Sequence, residues 1–149
     1  MKPIRIDRAT PADIPVLVEL LADLFAQEEE FTPNPEAQIK GLVSIIEQPE
    51  TGSIIVARQG KQIVGMVNIL FTVSTALGEK VILLEDMVVA PSVRRSGIGA
   101  RLLAEAISVA QSEKCGRITL LTDQTNETAQ RFYQKHGFIM SSMIPMRLP

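Results

Sequence analysis

Leu84-Glu85-Asp86-Met87-Val88-Val89-Ala90-Pro91-Ser92-Val93-Arg94-Arg95-Ser96-Gly97-Ile98-Gly99-Ala100-Arg101-Leu102-Leu103 passes from an apolar strand, through a proline stop, into two arginines, two glycines and the start of an amphipathic helix. Glycine permits positive φ and close approach of the backbone to a ligand. The first N–H groups of a helix have no partner inside it, and its dipole favours anions there. Arg94 and Arg95 add two cations just ahead of that helix start. The combination predicts a diphosphate site; the alternative is a glycine-rich loop with two solvated arginines. A P-loop is excluded, because Ala100-Arg101 stands where Lys-Ser or Lys-Thr would follow the second glycine. A dinucleotide fingerprint is excluded because Leu102 occupies the place of its third small residue.

Outward from this turn, the pattern resolves into a series of elements. Upstream, Ser53 to Arg58, Gln62 to Ser74 and Lys80 to Ala90 read as strands. The turns Gln59-Gly60-Lys61 and Leu77-Gly78-Glu79 between them imply antiparallel neighbours. Ile4 and Ile6 alternate with Arg5 and Asp7 as a short first strand. Thr10-Pro11-Ala12-Asp13 opens a helix with Ile14, Leu17, Val18, Leu21 and Leu24 on one face. Thr32-Pro33-Asn34-Pro35 starts a second helix, striped by Ile39, Leu42, Val43 and Ile46. Downstream, a helix runs from Gly97 to about Cys115 with Ile98, Leu102, Leu103, Ala106, Ile107 and Ala110 inward. Arg117 to Thr122 is a strand, Asn126 caps a helix through about His136, and Phe138 to Met143 reads as a last strand. The expected architecture is α/β, in the order β-α-α-β-β-β-α-β-α-β, with helices on a sheet.

The totals are consistent with one domain over residues 1–149. A chain of 149 residues buries roughly 68–70% of its unfolded surface and needs no disulfide or metal for its core. The net charge of −2 argues against general nucleic-acid binding, so the basic residues must act locally. One cysteine and one histidine exclude an internal disulfide and a thiolate/imidazole zinc set. The longest apolar stretch, Ile63 to Val73, is interrupted by Gly65, Asn68 and Thr72 and is too short to span a bilayer. The start Met1-Lys2-Pro3-Ile4 lacks the apolar core of a signal peptide. No membrane partner and a cytoplasmic location are therefore expected.

The turn resembles the coenzyme A signature of the GNAT N-acetyltransferase superfamily, Arg/Gln-x-x-Gly-x-Gly/Ala, here Arg94-x-x-Gly97-x-Gly99. Leu84 to Pro91 is similar to that family's preceding strand. Asn126-x-x-Ala129-x-x-Phe132-Tyr133-x-x-x-Gly137-Phe138 resembles its downstream helix motif. The likeness is strong over Val81 to Phe138 and follows element order before that.

The resemblance implies a GNAT-like fold, mostly antiparallel, and an acetyl-CoA-dependent N-acetyltransferase acting by direct attack of a primary amine, expected to be a small molecule. It implies that the backbone of Arg95, Ser96, Gly97, Ile98, Gly99 and Ala100 holds the pyrophosphate, with Arg94 alongside. Met87, Val88 and Val89 would pair with the pantetheine arm in a gap between this strand and the next, and Asn126 would bond that arm. A backbone N–H near Val88 could polarise the thioester carbonyl. Tyr133 would be the acid that protonates the leaving thiolate.

Glu85 is the candidate base. Alternation puts it with Leu83, Met87 and Val89 on one strand face, where apolar neighbours should raise its pKa. Asp86, on the other face with Ile82, Leu84 and Val88, is the competing carboxylate, and many relatives use an ordered water instead. Other acceptors remain open, including a polyamine-like cation and a protein N-terminus. So do two other readings: a non-catalytic acyl-CoA-binding module and an unrelated nucleotide-phosphate binder. The family often forms dimers by joining sheets or swapping its last strand, and Phe138 to Met146 is apolar enough for either. Cys115 reads as structural, His136 as a dipole partner at a helix end, and Glu28-Glu29-Glu30 as a solvated helix end; the resemblance offers the alternative that this link borders the acceptor site, where three carboxylates would attract a cationic amine.

Overall fold

The computed structural model describes residues 2–149. Strand β1 (Ile4–Arg8) leads through a tight helical turn into α1 (Ile14–Gln27) and α2 (Pro35–Ile46). Next come β2 (Gly52–Gln59), β3 (Gln62–Ser74) and β4 (Glu79–Val89), then α3 (Ile98–Ser112), β5 (Ile118–Leu120) and α4 (Glu127–Lys135). The strands form one sheet in chain order, antiparallel from β1 to β4 and parallel between β4 and β5. The mixed, mostly antiparallel α/β class is the one expected.

Each sheet face carries its own core. On one face, α3 lays Ile98, Leu102, Leu103, Ala106 and Ala110 against Ile55, Val67, Ile69, Ile82 and Leu84. Gly65 sets how close that helix comes, because a Cβ there would stand 3.0 Å from Leu102 Cδ1 and 3.3 Å from Ile98 Cγ2. On the other face, α1 and α2 press Leu17, Leu20, Leu21 and Leu42 onto Ile54, Val56, Met66 and Val88. Burying each such side chain contributes about 1.5–3 kcal/mol. Ile39, assigned to the α2 stripe, is instead 43% exposed, and Leu42 carries the contact.

The start of α1 is tied down by charge. The Thr10 N–H donates to Asp13 Oδ2 at 2.8 Å. Arg58 on β2 grips Asp13 (2.7 and 3.0 Å) and Asp7 (2.8 Å), which holds the Asp13 carboxyl below its ordinary range.

Three expectations are corrected. Phe138 to Met143 forms no strand. Phe138 packs against Tyr133 (ring centroids 5.7 Å apart), but Ile139, Met140, Met143, Ile144, Met146 and Leu148 are 67–98% exposed. The segment is apolar enough for a strand, yet no edge pairs with it, and a strand exists only through its ladder. Second, β5 keeps only Ile118–Leu120 of the expected Arg117 to Thr122.

The third concerns β4. Asn68 pairs with Asp86 and Ile69 with Leu84, so Glu85 is an extra residue with no partner across the ladder. This β-bulge resets the alternation. Before it Ile82 and Leu84 face α3; after it Met87 and Val89 do, while Val88 faces α1. Leu83, Glu85, Met87 and Val89 therefore do not share a face.

Candidate active site

The bulge also lies where β4 loses its neighbour. β5 pairs only with Ile82, Leu83 and Leu84, and from Glu85 to Val89 the β5-side edge of β4 has no strand against it. An unpaired edge presents N–H and C=O groups that an extended ligand can join as a further strand. Met87, Val88 and Val89 lie on this stretch.

Immediately beyond it the chain turns into α3. Gly97 is the N-cap at φ +86°, and a Cβ added there would meet nothing within 4 Å, so the space before the helix is open. Arg95 also takes positive φ, +65°, a conformation uncommon outside glycine. The first bond of the helix runs from Arg101 N–H to Gly97 C=O at 3.2 Å. The N–H groups of Ile98, Gly99 and Ala100 thus have no helical acceptor and face the turn with the positive end of the dipole. This suits an anion such as a pyrophosphate. Ser96 Oγ donates to Val93 C=O, and Arg94 Nε donates to Val89 C=O at 3.1 Å. Arg94 therefore lashes the turn to the end of β4, a bracing role that its sequence position does not reveal.

Helix α4 enters from the far side of the gap. Asn126 Oδ1 caps it by accepting from Ala129 N–H at 3.1 Å, so its NH₂ is left as the donor for a ligand carbonyl. Tyr133 packs into the α3-side core, edge-on to Phe132 with centroids 5.2 Å apart. Burial, and then the charge of Glu28, push its phenol up to about 12. The phenol is thus a firmly protonated donor at neutral pH.

Of the two adjacent carboxylates, Glu85 is exposed at the bulge and Asp86 is turned inward. Asn68 Nδ2 donates to Asp86 Oδ2 at 3.1 Å. Burial pushes Asp86 up to about 6, against the lowering effect of that hydrogen bond. The bulge explains the exchange, since an extra residue at Glu85 re-aims both side chains.

Glu28 was expected in a solvated helix end, and this is corrected. It is half-buried and pushed up to about 7, first by burial and then by the charges of Asp86, Asp123, Glu85 and Glu30. Glu29 N–H meets Asp123 Oδ2 at 3.4 Å, and Thr125 Oγ1 donates to Glu29 Oε1 at 3.3 Å. The end of α1 and the β5–α4 loop are thereby joined over β4. Sequence reasoning missed Asn68 and Asp123, and it weighed Glu28 only as one of three glutamates, a run that carries no mark of which one folds inward.

Cys115 is half-buried, and burial raises its thiol, the reverse of activation. His136 ends α4 with Nδ1 2.8 Å from Phe132 C=O and its ring on Phe132. Both therefore have structural surroundings. Among the described residues no helix is long and apolar enough to cross a membrane.

The chain is similar to known proteins along most of its length. Residues 16–138 match the acetyltransferase (GNAT) family model. The chain is 26% identical over 121 residues to an uncharacterized N-acetyltransferase, YhfO, of Bacillus subtilis (strain 168), covering 79% of this chain and 80% of that one. A solved structure described as a transcriptional regulator from Bacillus halodurans C-125 is 30% identical, with a TM-score of 0.84 and 99% of each chain covered. The aminoglycoside N-acetyltransferase AAC(6')-Iy, solved in complex with CoA, shares the fold at a TM-score of 0.83 and 17% identity, with 100% of this chain and 96% of that one covered.

Proposed function

The chain belongs to the acetyltransferase (GNAT) family and is an acyltransferase, and we propose that it moves an acetyl group from acetyl-CoA to the nitrogen of a small primary amine by direct attack. The observation that carries this reading is the coincidence of two features. The unpaired edge of β4 from Glu85 to Val89 runs straight into the open, positive end of α3. One accepts an extended amide-bearing arm and the other a pyrophosphate.

Acetyl-CoA supplies a carbonyl already activated by its thiol leaving group. The backbone from Arg95 to Ala100 grips the pyrophosphate, and the edge at Met87, Val88 and Val89 pairs with the arm. The Asn126 NH₂ donates to an amide carbonyl of that arm. A backbone N–H near Val88 steadies the carbonyl oxygen as negative charge develops on it.

The amine nitrogen forms the C–N bond and gives one proton to a carboxylate while the C–S bond breaks. Tyr133 passes its phenol proton to the departing sulfur and recovers one through solvent. As the base, Asp86 is better supported than Glu85: it faces inward and its value of about 6 leaves it ionised at neutral pH.

The test is acetyl-CoA-dependent thiol release across a panel of primary amines, beside calorimetry with coenzyme A. Saturable thiol release is expected. No coenzyme A binding at millimolar ligand, with no thiol release, would overturn the reading.

A further inference from the structure

The carboxylates around the cleft are more numerous than one proton transfer requires, and they come from three separate elements. Glu28 ends α1, Asp86 lies on β4 and Asp123 in the β5–α4 loop. The Glu29 N–H, next to Glu28, meets Asp123 Oδ2 at 3.4 Å, and α1 packs on Val88, two residues from Asp86, so the three stand near one another, and the charges of Asp86 and Asp123 raise the Glu28 carboxyl. Holding like charges together in a partly dry site costs stability unless something positive occupies it.

A second, independent observation lies beside Asp86. Asn68 is 5% exposed, and its Nδ2 bonds Asp86 Oδ2 at 3.1 Å. That bond fixes the orientation of the amide, because a carboxylate only accepts. Asn68 Oδ1 is then buried beside Asp86 with no partner, and an orphaned buried acceptor costs about 1–3 kcal/mol. Asp86, Glu28 and a carboxamide oxygen lacking a donor are therefore the acceptors gathered on this side of the cleft. Outside it, Arg147 pairs with Glu30 at 3.0 Å, both well exposed.

A ligand that carries N–H donors and positive charge would meet both the carboxylates and Asn68 Oδ1. No three carboxylates among the described residues converge as a metal ion requires. Charges strung from β4 to the β5–α4 loop suit an extended ligand with positive charge at more than one point.

We propose that the acceptor is a linear diamine or polyamine, whose near nitrogen reacts at Asp86 and Asn68 while a distal ammonium rests between Glu28 and Asp123. This rests on the acyltransferase reading above and names its substrate class. The near nitrogen enters neutral, as the reaction demands. The distal one stays protonated and takes no part in bond making. Glu28 is ionised once that ammonium is in place, since an opposite charge favours the charged form.

The experiment compares cadaverine with n-pentylamine, which share a five-carbon chain and differ by one terminal ammonium, using acetyl-CoA and thiol release. The kcat/KM for cadaverine is expected to be at least about tenfold higher, the ratio that about 1.4 kcal/mol gives. That ratio should shrink as salt is added. Glu28→Gln and, separately, Asp123→Asn should each narrow it to below about threefold, in proteins whose thermal melts show them folded. Equal efficiency for the two amines, or a ratio untouched by both substitutions, would overturn the substrate class while leaving acyl transfer intact. Thiol release from neither amine nor any other, with no coenzyme A binding, would instead overturn the acyltransferase reading.

Discussion

Asn68 and Asp86 face each other across the β3–β4 ladder, joined by a 3.1 Å hydrogen bond from the carboxamide nitrogen to the carboxylate. The bond opposes the effect of burial on Asp86 and holds the carboxyl at about 6 instead of higher. Asn68→Leu should remove that opposition. The acidic limb of kcat/KM against pH is then expected to move up by about one unit, the shift that loss of one hydrogen bond to a charged group brings. A limb that stays near pH 6 would show that Asp86 is not the group titrating in the reaction.

Tyr133→Phe should lower kcat by about 10²–10⁴-fold, the range for a positioned general acid. Coenzyme A affinity by calorimetry should hardly change, since the phenol is not placed on the pyrophosphate turn. The raised value of about 12 has a second consequence. The phenol stays protonated throughout the working range, so the wild-type rate should show no basic limb from Tyr133 below about pH 11. Undiminished turnover in Tyr133→Phe would remove it from the acid role.

Gly97→Ala forces a methyl group onto a residue at φ +86° with open space before it. The cost is backbone strain and not a clash, about 1–2 kcal/mol. A lower melting temperature and a higher Kd for coenzyme A should appear together, because the strained residue is also the one that opens the helix to its anion. Weakened binding without a loss of stability would point to a direct contact instead.

Glu28 makes a prediction about stability. Its carboxyl is raised in the folded chain from an ordinary 4.5 to about 7, mainly by burial. Between those values the folded state holds a proton that the unfolded chain has released, so stability falls as pH rises through that window. Glu28→Gln should therefore raise the melting temperature at pH 8 by about 2–4 °C, the effect in a domain of this size of about 1 kcal/mol, which is what solvent screening leaves at a half-exposed carboxylate. The gain should disappear below about pH 4.5. Equal melting curves at pH 8 would mean that Glu28 is fully solvated.

The order of β1 to β4 and the helices was legible in the sequence because each depends on local patterning. Gly60 and Gly78 mark the hairpins, Gly97 the start of α3, and the helix stripes have the right period. The bulge at Glu85 was not legible. Counting by twos carries no signal for an inserted residue, and the ladder with Asn68 and Ile69 is what reveals it. The segment after Phe138 reads as a strand because it is apolar, but strand formation needs a neighbour and none is present. Glu28 could not be told from its neighbours for a related reason: three successive glutamates look alike until Asp86 and Asp123 arrive from elsewhere in the chain. The glycine turn stood out through its spacing, and Tyr133 through the resemblance of the motif from Asn126 to Phe138.

The bulge at Glu85 makes β4 a strand with two phases. Deleting Glu85 would be a frameshift in space. It would restore one unbroken alternation, carry Met87 and Val89 out of the α3-side core, and turn Val88 toward it. The inserted residue thus works as a phase marker, and β4 can tolerate exchange of the Glu85 side chain far better than loss of the position it occupies.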